Sequence, residues 1–126
     1  MLTCTMTETK LIMEGKTAGI VRRYDGACPH EVGSQLVFAS EYLPWAPRGE
    51  DGKRKAVPFA RGTIVSLRPG SVGQFRKDKM LAETDGYANP NVWHGHLRQF
   101  YKGIPDDANV FHITFRLEEV DKEGPK

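Results

Sequence analysis

Two short polar stretches in this 126-residue chain carry the residue types that could do chemistry. The first is Gly15-Lys16-Thr17-Ala18-Gly19, which runs on into Ile20-Val21-Arg22-Arg23. The second is Asp85-Gly86-Tyr87. In the first, glycines let the backbone turn sharply while polar side chains point out of the turn. Lys16 is suited to contact a phosphate, or to act as a base if burial lowers its pKa; an ordinary exposed turn lysine looks the same. Thr17 adds a hydroxyl. Arg22 and Arg23 are adjacent on an extended run, so their side chains leave on opposite faces, one toward a cleft and the other toward solvent or a salt bridge. A guanidinium fork suits a phosphate or a base edge. In the second stretch, Asp85 can accept from the amino group of a base or take part in acid–base chemistry, and Tyr87 can stack on a base. The plainer alternative is a helix-ending turn with a half-buried tyrosine.

Other constellations are excluded by spacing. Gly15-Lys16-Thr17 does not end a P-loop, because the position five before Gly15 is Lys10 and a helix, not a strand, precedes it. His94 and His96 diverge by about 200° on a helix and cannot share a metal. Of the two, His96 is expected nearer the buried side and His94 at the surface. No metal-ligand spacing and no cofactor motif is present, so neither a metal nor a cofactor is expected. The two cysteines, Cys4 and Cys28, make no disulfide framework and read as reduced thiols of a cytoplasmic protein. No apolar run reaches the roughly 18–20 residues of a membrane span, and no secretory leader is visible.

The net charge of +2 is unevenly distributed. Residues 48–79 carry nine basic and three acidic groups, Arg61 and Arg68 among the basic ones, between ends of net −1 and −3. A basic middle between mildly acidic ends is how a face for phosphates is built, although lysines and arginines on a solvated loop give the same count.

These groups need a scaffold, and the hydrophobic pattern suggests one. Thr7–Glu14 reads as a helix capped by Thr7, with Leu11 and Ile12 inward and Gly15 as its stop. Short strands are expected at Ile20–Tyr24 and Val32–Ala39. Tyr42-Leu43-Pro44-Trp45-Ala46-Pro47 breaks the second strand, since two close prolines do not fit a central strand. A polar loop follows, with a hairpin tip at Asp51-Gly52. Val57–Leu67 is extended, with Ile64, Val65 and Leu67 buried, and Arg68-Pro69-Gly70 turns. Ser71–Phe75 extends the sheet or crosses a barrel end. Two helical pieces follow, Arg76–Thr84 with Met80, Leu81 and Phe75 inward, and Val92–Lys102 with Val92, Trp93, Leu97, Phe100 and Tyr101 inward. The alternation of Asn109–Glu118 marks the clearest strand. Strands outnumber helices without regular alternation, which gives a small α+β barrel, not a doubly wound sheet. One domain spans 1–126, with a core of about residues 8–119 and flexible termini, Cys4 lying in a frayed N-terminal tail and Asp121–Lys126 in a charged one.

In order and spacing the pieces resemble the ASCH family within the PUA-like fold. The resemblance covers roughly Leu11–Glu118. It rests on Ile12, Gly15, Lys16 and Thr17; an arginine on the next strand; Val32, Gly33 and Leu36; Ala60, Ile64 and Leu67; Ala82, Glu83, Asp85, Gly86 and Tyr87; a helix ending in Phe100-Tyr101; and Val110-Phe111-His112-Ile113-Thr114-Phe115. It implies a β-barrel of about five to six strands with flanking helices and a cleft lined by the lysine bend. It also implies RNA binding, coactivator-type roles or, in some branches, enzyme activity, including ribonucleases. One branch hydrolyses 4-acetylcytidine with a lysine, a threonine nucleophile and a glutamate. Those positions correspond to Lys16, Gly19 and Asp85, and a glycine cannot be a nucleophile.

The sequence therefore leads to a cytoplasmic, monomeric RNA-binding module. Lys16, Thr17, Arg22 or Arg23, Arg61 and Arg68 would meet phosphate, and Asp85 and Tyr87 a base. A nucleoside-directed amidohydrolase or ribonuclease using Lys16 and Asp85 is the first alternative. A protein-interaction module using an exposed Trp45 in the Tyr42–Pro47 loop is the second.

Overall fold

The computed structural model describes residues 1–124. Residues 125 and 126, the end of the expected charged tail, lie outside the described residues. Five strands form one sheet: β1 (Leu2–Thr3), β2 (Gly19–Arg22), β3 (Gln35–Ser40), β4 (Val57–Ser71) and β5 (Asn109–Val120), in the spatial order β1-β3-β4-β5-β2. The pair β1 and β3 is parallel and the other pairs are antiparallel. Helices α1 (Met6–Met13), α2 (Val72–Phe75), α3 (Lys79–Thr84) and α4 (Pro90–Phe100) flank it. This is the small α+β half-barrel the sequence leads one to expect.

The sheet curls until its two edge strands meet across one side chain. Arg22, on β2, donates through Nη2 to the Thr3 carbonyl of β1 at 2.9 Å. The same guanidinium forks onto Glu8 of α1, at 2.7 Å to Oε1 and 2.8 Å to Oε2. Both partners are 6% exposed. The helix that presents Glu8 starts from a capping box: Thr5 Oγ1 accepts from the Glu8 amide and Glu8 Oε1 from the Thr5 amide. One carboxylate thus sets the helix start and closes the sheet. The expected frayed tail is instead ordered. Leu2 pairs in β1, Cys4 is buried, and Thr5 rather than Thr7 caps the helix.

The sheet separates two cores. Inside the curl, Ile12, Ile20, Leu36, Phe38, Phe59, Ile64, Ile113 and Phe115 pack together. On the other side, Val21, Val72, Phe75, Leu81, Trp93, Leu97 and Val110 join the sheet to α2–α4. Strand β2 lies at an edge yet is buried along its whole length, which protects it from pairing with another chain.

Several expectations are corrected. The turn expected at Arg68-Pro69-Gly70 is absent, because β4 continues to Ser71 while α2 occupies Val72–Phe75. Pro69 is tolerated because β3 pairs only with residues 57–63, leaving the rest of β4 with one neighbour. The β4–β5 register shifts between Arg61 and Gly62 and between Ile64 and Ser66; Val65, expected to be buried, is the extra residue of the second shift and is 55% exposed, opposite to its buried neighbour Ile64. Met80 (76%) and Val92 (48%) also face solvent, and Phe100 is partly exposed, because Leu81 and Ala82 on α3 and the Trp93/Leu97 pair on α4 take the inward positions. The Tyr42–Pro47 segment is anchored by buried Leu43 and Ala46, and Trp45 is half-buried against Gly124. That leaves Trp45 a poor protruding contact. No helix among the described residues is long and apolar enough to cross a membrane.

Burial alone would raise the pKa of Glu8, but the bond and charge of Arg22 outweigh it and hold the carboxyl below its ordinary value. A depressed folded-state pKa means that Glu8 contributes stability above its unfolded pKa and loses it as pH falls through the folded one. Glu8→Ala is therefore expected to cost about 3–5 kcal/mol at pH 7 by stranding Arg22. In urea titrations at pH 7 and at pH 3, the gap between variant and parent should narrow at the lower pH.

Candidate functional site

The lysine bend and the Asp85 turn do meet, but directly. The Ala18 amide donates to the Thr84 carbonyl at 2.8 Å. Gly86, at φ +92°, comes so close that a Cβ there would lie 2.7 Å from the Lys16 carbonyl oxygen. Thr17 turns back on its own backbone, its hydroxyl donating to the Gly19 carbonyl at 2.9 Å. Lys16 points away: its Nζ is 3.2 Å from Glu14 and its side chain is 66% exposed.

Asp85, by contrast, is 3% exposed. Its Oδ2 accepts from Trp93 Nε1 at 3.1 Å, and its Oδ1 lies 2.7 Å from His112 Nε2. Burial raises its pKa, with the bonds to His112 and Trp93 pulling the other way. The cluster fits only because position 19 is glycine. A Cβ there would stand 2.3 Å from Asp85 Oδ1 and 2.8 Å from His112 Nε2. The place where the resemblance puts a nucleophile is thus taken by an aspartate–histidine pair. The lysine and carboxylate of that scheme are on opposite sides of a packed turn.

Behind the turn, Glu8, Thr17, Arg22, Asp85, Tyr87 and His96 line a small enclosed cavity. The centre of a water molecule can move over about 20 Å³ there. Since a water needs about 10–15 Å³ by the same measure, the cavity takes one water and no base. Its polar wall is tied together. Tyr87 Oη is 2.9 Å from His96 Nδ1, and His96 Nε2 is 3.0 Å from Thr5 Oγ1. Burial pushes the Tyr87 hydroxyl up and the His96 imidazole down, which keeps both neutral at pH 7. His94, expected at the surface, is half-buried on the next turn face, with Nε2 3.5 Å from Asp106. Arg22, expected to hold phosphate, is committed to Glu8, Thr3 and the Phe100 ring. Arg23 is exposed, just beyond β2.

Three further arginines, Arg61, Arg68 and Arg116, lie on the outer face of β4 and β5. Residues directly opposite in an antiparallel pair share a face. The pairs are Arg61 with Glu119, Thr63 with Arg116, Ser66 with Thr114, and Arg68 with His112. Arg61 bonds Glu119 at 2.5 Å and Arg68 bonds Asp78 at 3.0 Å, both as half-exposed pairs. Ser66 and Thr114 hydroxyls are hydrogen-bonded to each other. At the α3 end this face deepens into a groove of about 290 Å³ whose lining includes Ser66, Arg68, Asp78, Met80, Thr84, His112 and Thr114. Sequence reasoning missed His112, Thr114, Ser66 and Arg116 as a group. The alternation of β5 puts 112, 114 and 116 on one side, but only the bulged register with β4 shows what lies opposite.

No family model and no curated protein matches the sequence. Solved structures do. The ASCH domain from Lactobacillus crispatus JV V101 is similar with a TM-score of 0.58 at 17% identity, over 88% of this chain and 70% of that one. ASCH from Zymomonas mobilis has a TM-score of 0.59 at 9% identity, over 95% and 71%. A protein from Enterococcus faecalis V583 has a TM-score of 0.63 at 10% identity, over 89% and 67%. At these identities the likeness is one of fold, and the chain has the ASCH-like fold.

Gly19→Thr restores the hydroxyl of the amidohydrolase scheme, so it separates chemistry from packing. It should cost about 1–3 kcal/mol through overpacking against Asp85 and His112. It should also show no release of acetate from 4-acetylcytidine. A stable, active variant would contradict this assignment.

Proposed function

We propose that this ASCH-like chain is a nucleic-acid-binding module that holds the RNA backbone on the outer face of β4 and β5, not in a cleft between the lysine bend and Asp85. The observation that carries the reading is the common face of Arg61, Arg116 and Arg68, set among the hydroxyls of Thr63, Ser66 and Thr114. Phosphate contacts are made by such arginines and hydroxyls. The ion pairs of Arg61 and Arg68 do not oppose it strongly. Half-exposed pairs are worth about 0–1 kcal/mol each, so a phosphate can replace the carboxylate at little cost. Lys16 and Arg23, exposed on either side of β2, are secondary contacts. Thr17, Arg22, Asp85 and Tyr87 serve by holding the scaffold in shape.

The positive middle of the sequence supports the reading, since residues 48–79 supply Arg61 and Arg68 and the basic turn between Arg48 and Arg54. The test is binding of a single-stranded RNA across a salt series. Replacing Arg61, Arg68 and Arg116 together by Ala should weaken binding and lower the slope of log K against log salt by about 2, at roughly 0.7 per lost phosphate contact. Lys16→Ala alone should change the slope by less than 1. Unaltered binding in the triple variant would remove this face from the interface.

A further inference from the structure

The groove at the α3 end of that face contains an acceptor whose direction is fixed from behind. His112 has a side chain that is 7% exposed. Its Nε2 is 2.7 Å from Oδ1 of Asp85, whose Oδ2 accepts from the Trp93 N–H. With Nε2–H turned to Asp85, the tautomer that fits the contact leaves the lone pair on Nδ1. Nδ1 has no hydrogen-bond partner among the described residues, and it is not walled off; the ring lines the groove. The Phe75 ring, 6.0 Å from the imidazole, packs beside it. Arg68 lies over the same Phe75 ring, 5.1 Å from its centre.

Arg68 and His112 are directly opposite in the β4–β5 register. Opposite residues have Cβ atoms about 4.5–5.5 Å apart. The groove therefore presents, side by side, a cation with guanidinium N–H groups to spare and an imidazole nitrogen turned to it. A phosphodiester and the 2′-hydroxyl of the same ribose present the complement, an anion and an adjacent donor. DNA supplies only the anion.

We propose that His112 is the residue that tells RNA from DNA, accepting the 2′-hydroxyl of a nucleotide whose phosphate is held by Arg68, with Asp85 as the positioning residue that keeps Nδ1 turned to the groove. This rests on the reading of the β4–β5 face as the nucleic-acid surface. It adds to that reading which sugar is recognised and by which atom. An imidazole nitrogen facing the groove keeps water as its partner when DNA is bound and exchanges it for a direct bond only with a ribose hydroxyl.

The probes are three fluorescein-labelled uridine 12-mers: RNA, deoxyribose, and 2′-fluoro, which keeps an RNA-like sugar pucker but has no hydroxyl proton to give. The parent protein should bind the RNA about 3- to 10-fold tighter than the 2′-fluoro strand, the worth of one net hydrogen bond. His112→Gln keeps an N–H for Asp85 but moves the acceptor from the Nδ1 position to the carbonyl at the end of the side chain, beside Asp85. It should bring RNA down to the 2′-fluoro level and leave 2′-fluoro binding unchanged, which also reports that the variant is folded. Arg68→Ala should weaken all three strands by the same factor. Equal affinity of the parent for RNA and 2′-fluoro strands would overturn the assignment of His112 while leaving the binding face intact, and so would a His112→Gln variant that keeps the preference. If the parent binds none of the three, both the face and the assignment fall.

Discussion

The fork between Arg22 and Glu8 is the interaction on which the rest of this structure depends. An open five-stranded sheet has two edges, and here they are β1 and β2. Hydrogen bonds between those strands do not close the gap; one guanidinium does, bonded to the Thr3 carbonyl on one side and rooted in β2 on the other. Desolvating two charges is expensive, and the geometry offsets it: both carboxylate oxygens are engaged, and the arginine has further bonds to the Val21 carbonyl and the Phe100 ring. Such pairs are better at selecting one arrangement than at adding net stability. In this chain the arrangement selected is a start for α1, a position for the N-terminal strand and the curvature of the sheet.

The curl has a consequence for the polar centre of the molecule. Once β2 is covered on both faces, its glycine at position 19 becomes the floor on which Asp85 and His112 meet. The carboxylate that the sequence offers as a surface group is drawn in between two elements. What the surface receives is the other end of that hydrogen-bond chain, the imidazole edge in the groove beside Arg68. Packing thus leaves side chains diverging at the lysine bend, while the β4–β5 register brings Arg61, Arg68, Arg116 and His112 onto one face.

Much of the scaffold is legible in the sequence because local rules agree there. Asn89-Pro90 starts α4 and Gly103 follows its end, and the alternation of β5 extends to within two residues of its observed limit. The order of elements is enough to suggest the ASCH-like fold. The site is less legible, because it is made by long-range choices. Nothing local says that Arg22 rather than Arg23 turns inward; that depends on Glu8, 14 positions earlier on the preceding helix. Asp85 reads as a polar turn residue until His112, 27 positions later, is placed against it. Ser66 joins Val65 on the outer side because of a bulge, and a bulge in a 15-residue strand leaves no composition signal. A two-residue N-terminal strand is likewise too short to show a period.

The central claim is one of location: we place nucleic acid on the outer face of β4 and β5, with the lysine bend as a secondary contact. Backbone amide chemical-shift mapping during titration with a short single-stranded RNA addresses it most directly. The account predicts saturable shifts concentrated at Arg61–Arg68 and His112–Arg116, with residues 15–18 and 86–87 changing little. Shifts concentrated at Gly15–Thr17 and Gly86–Tyr87, with β4 and β5 silent, would contradict it.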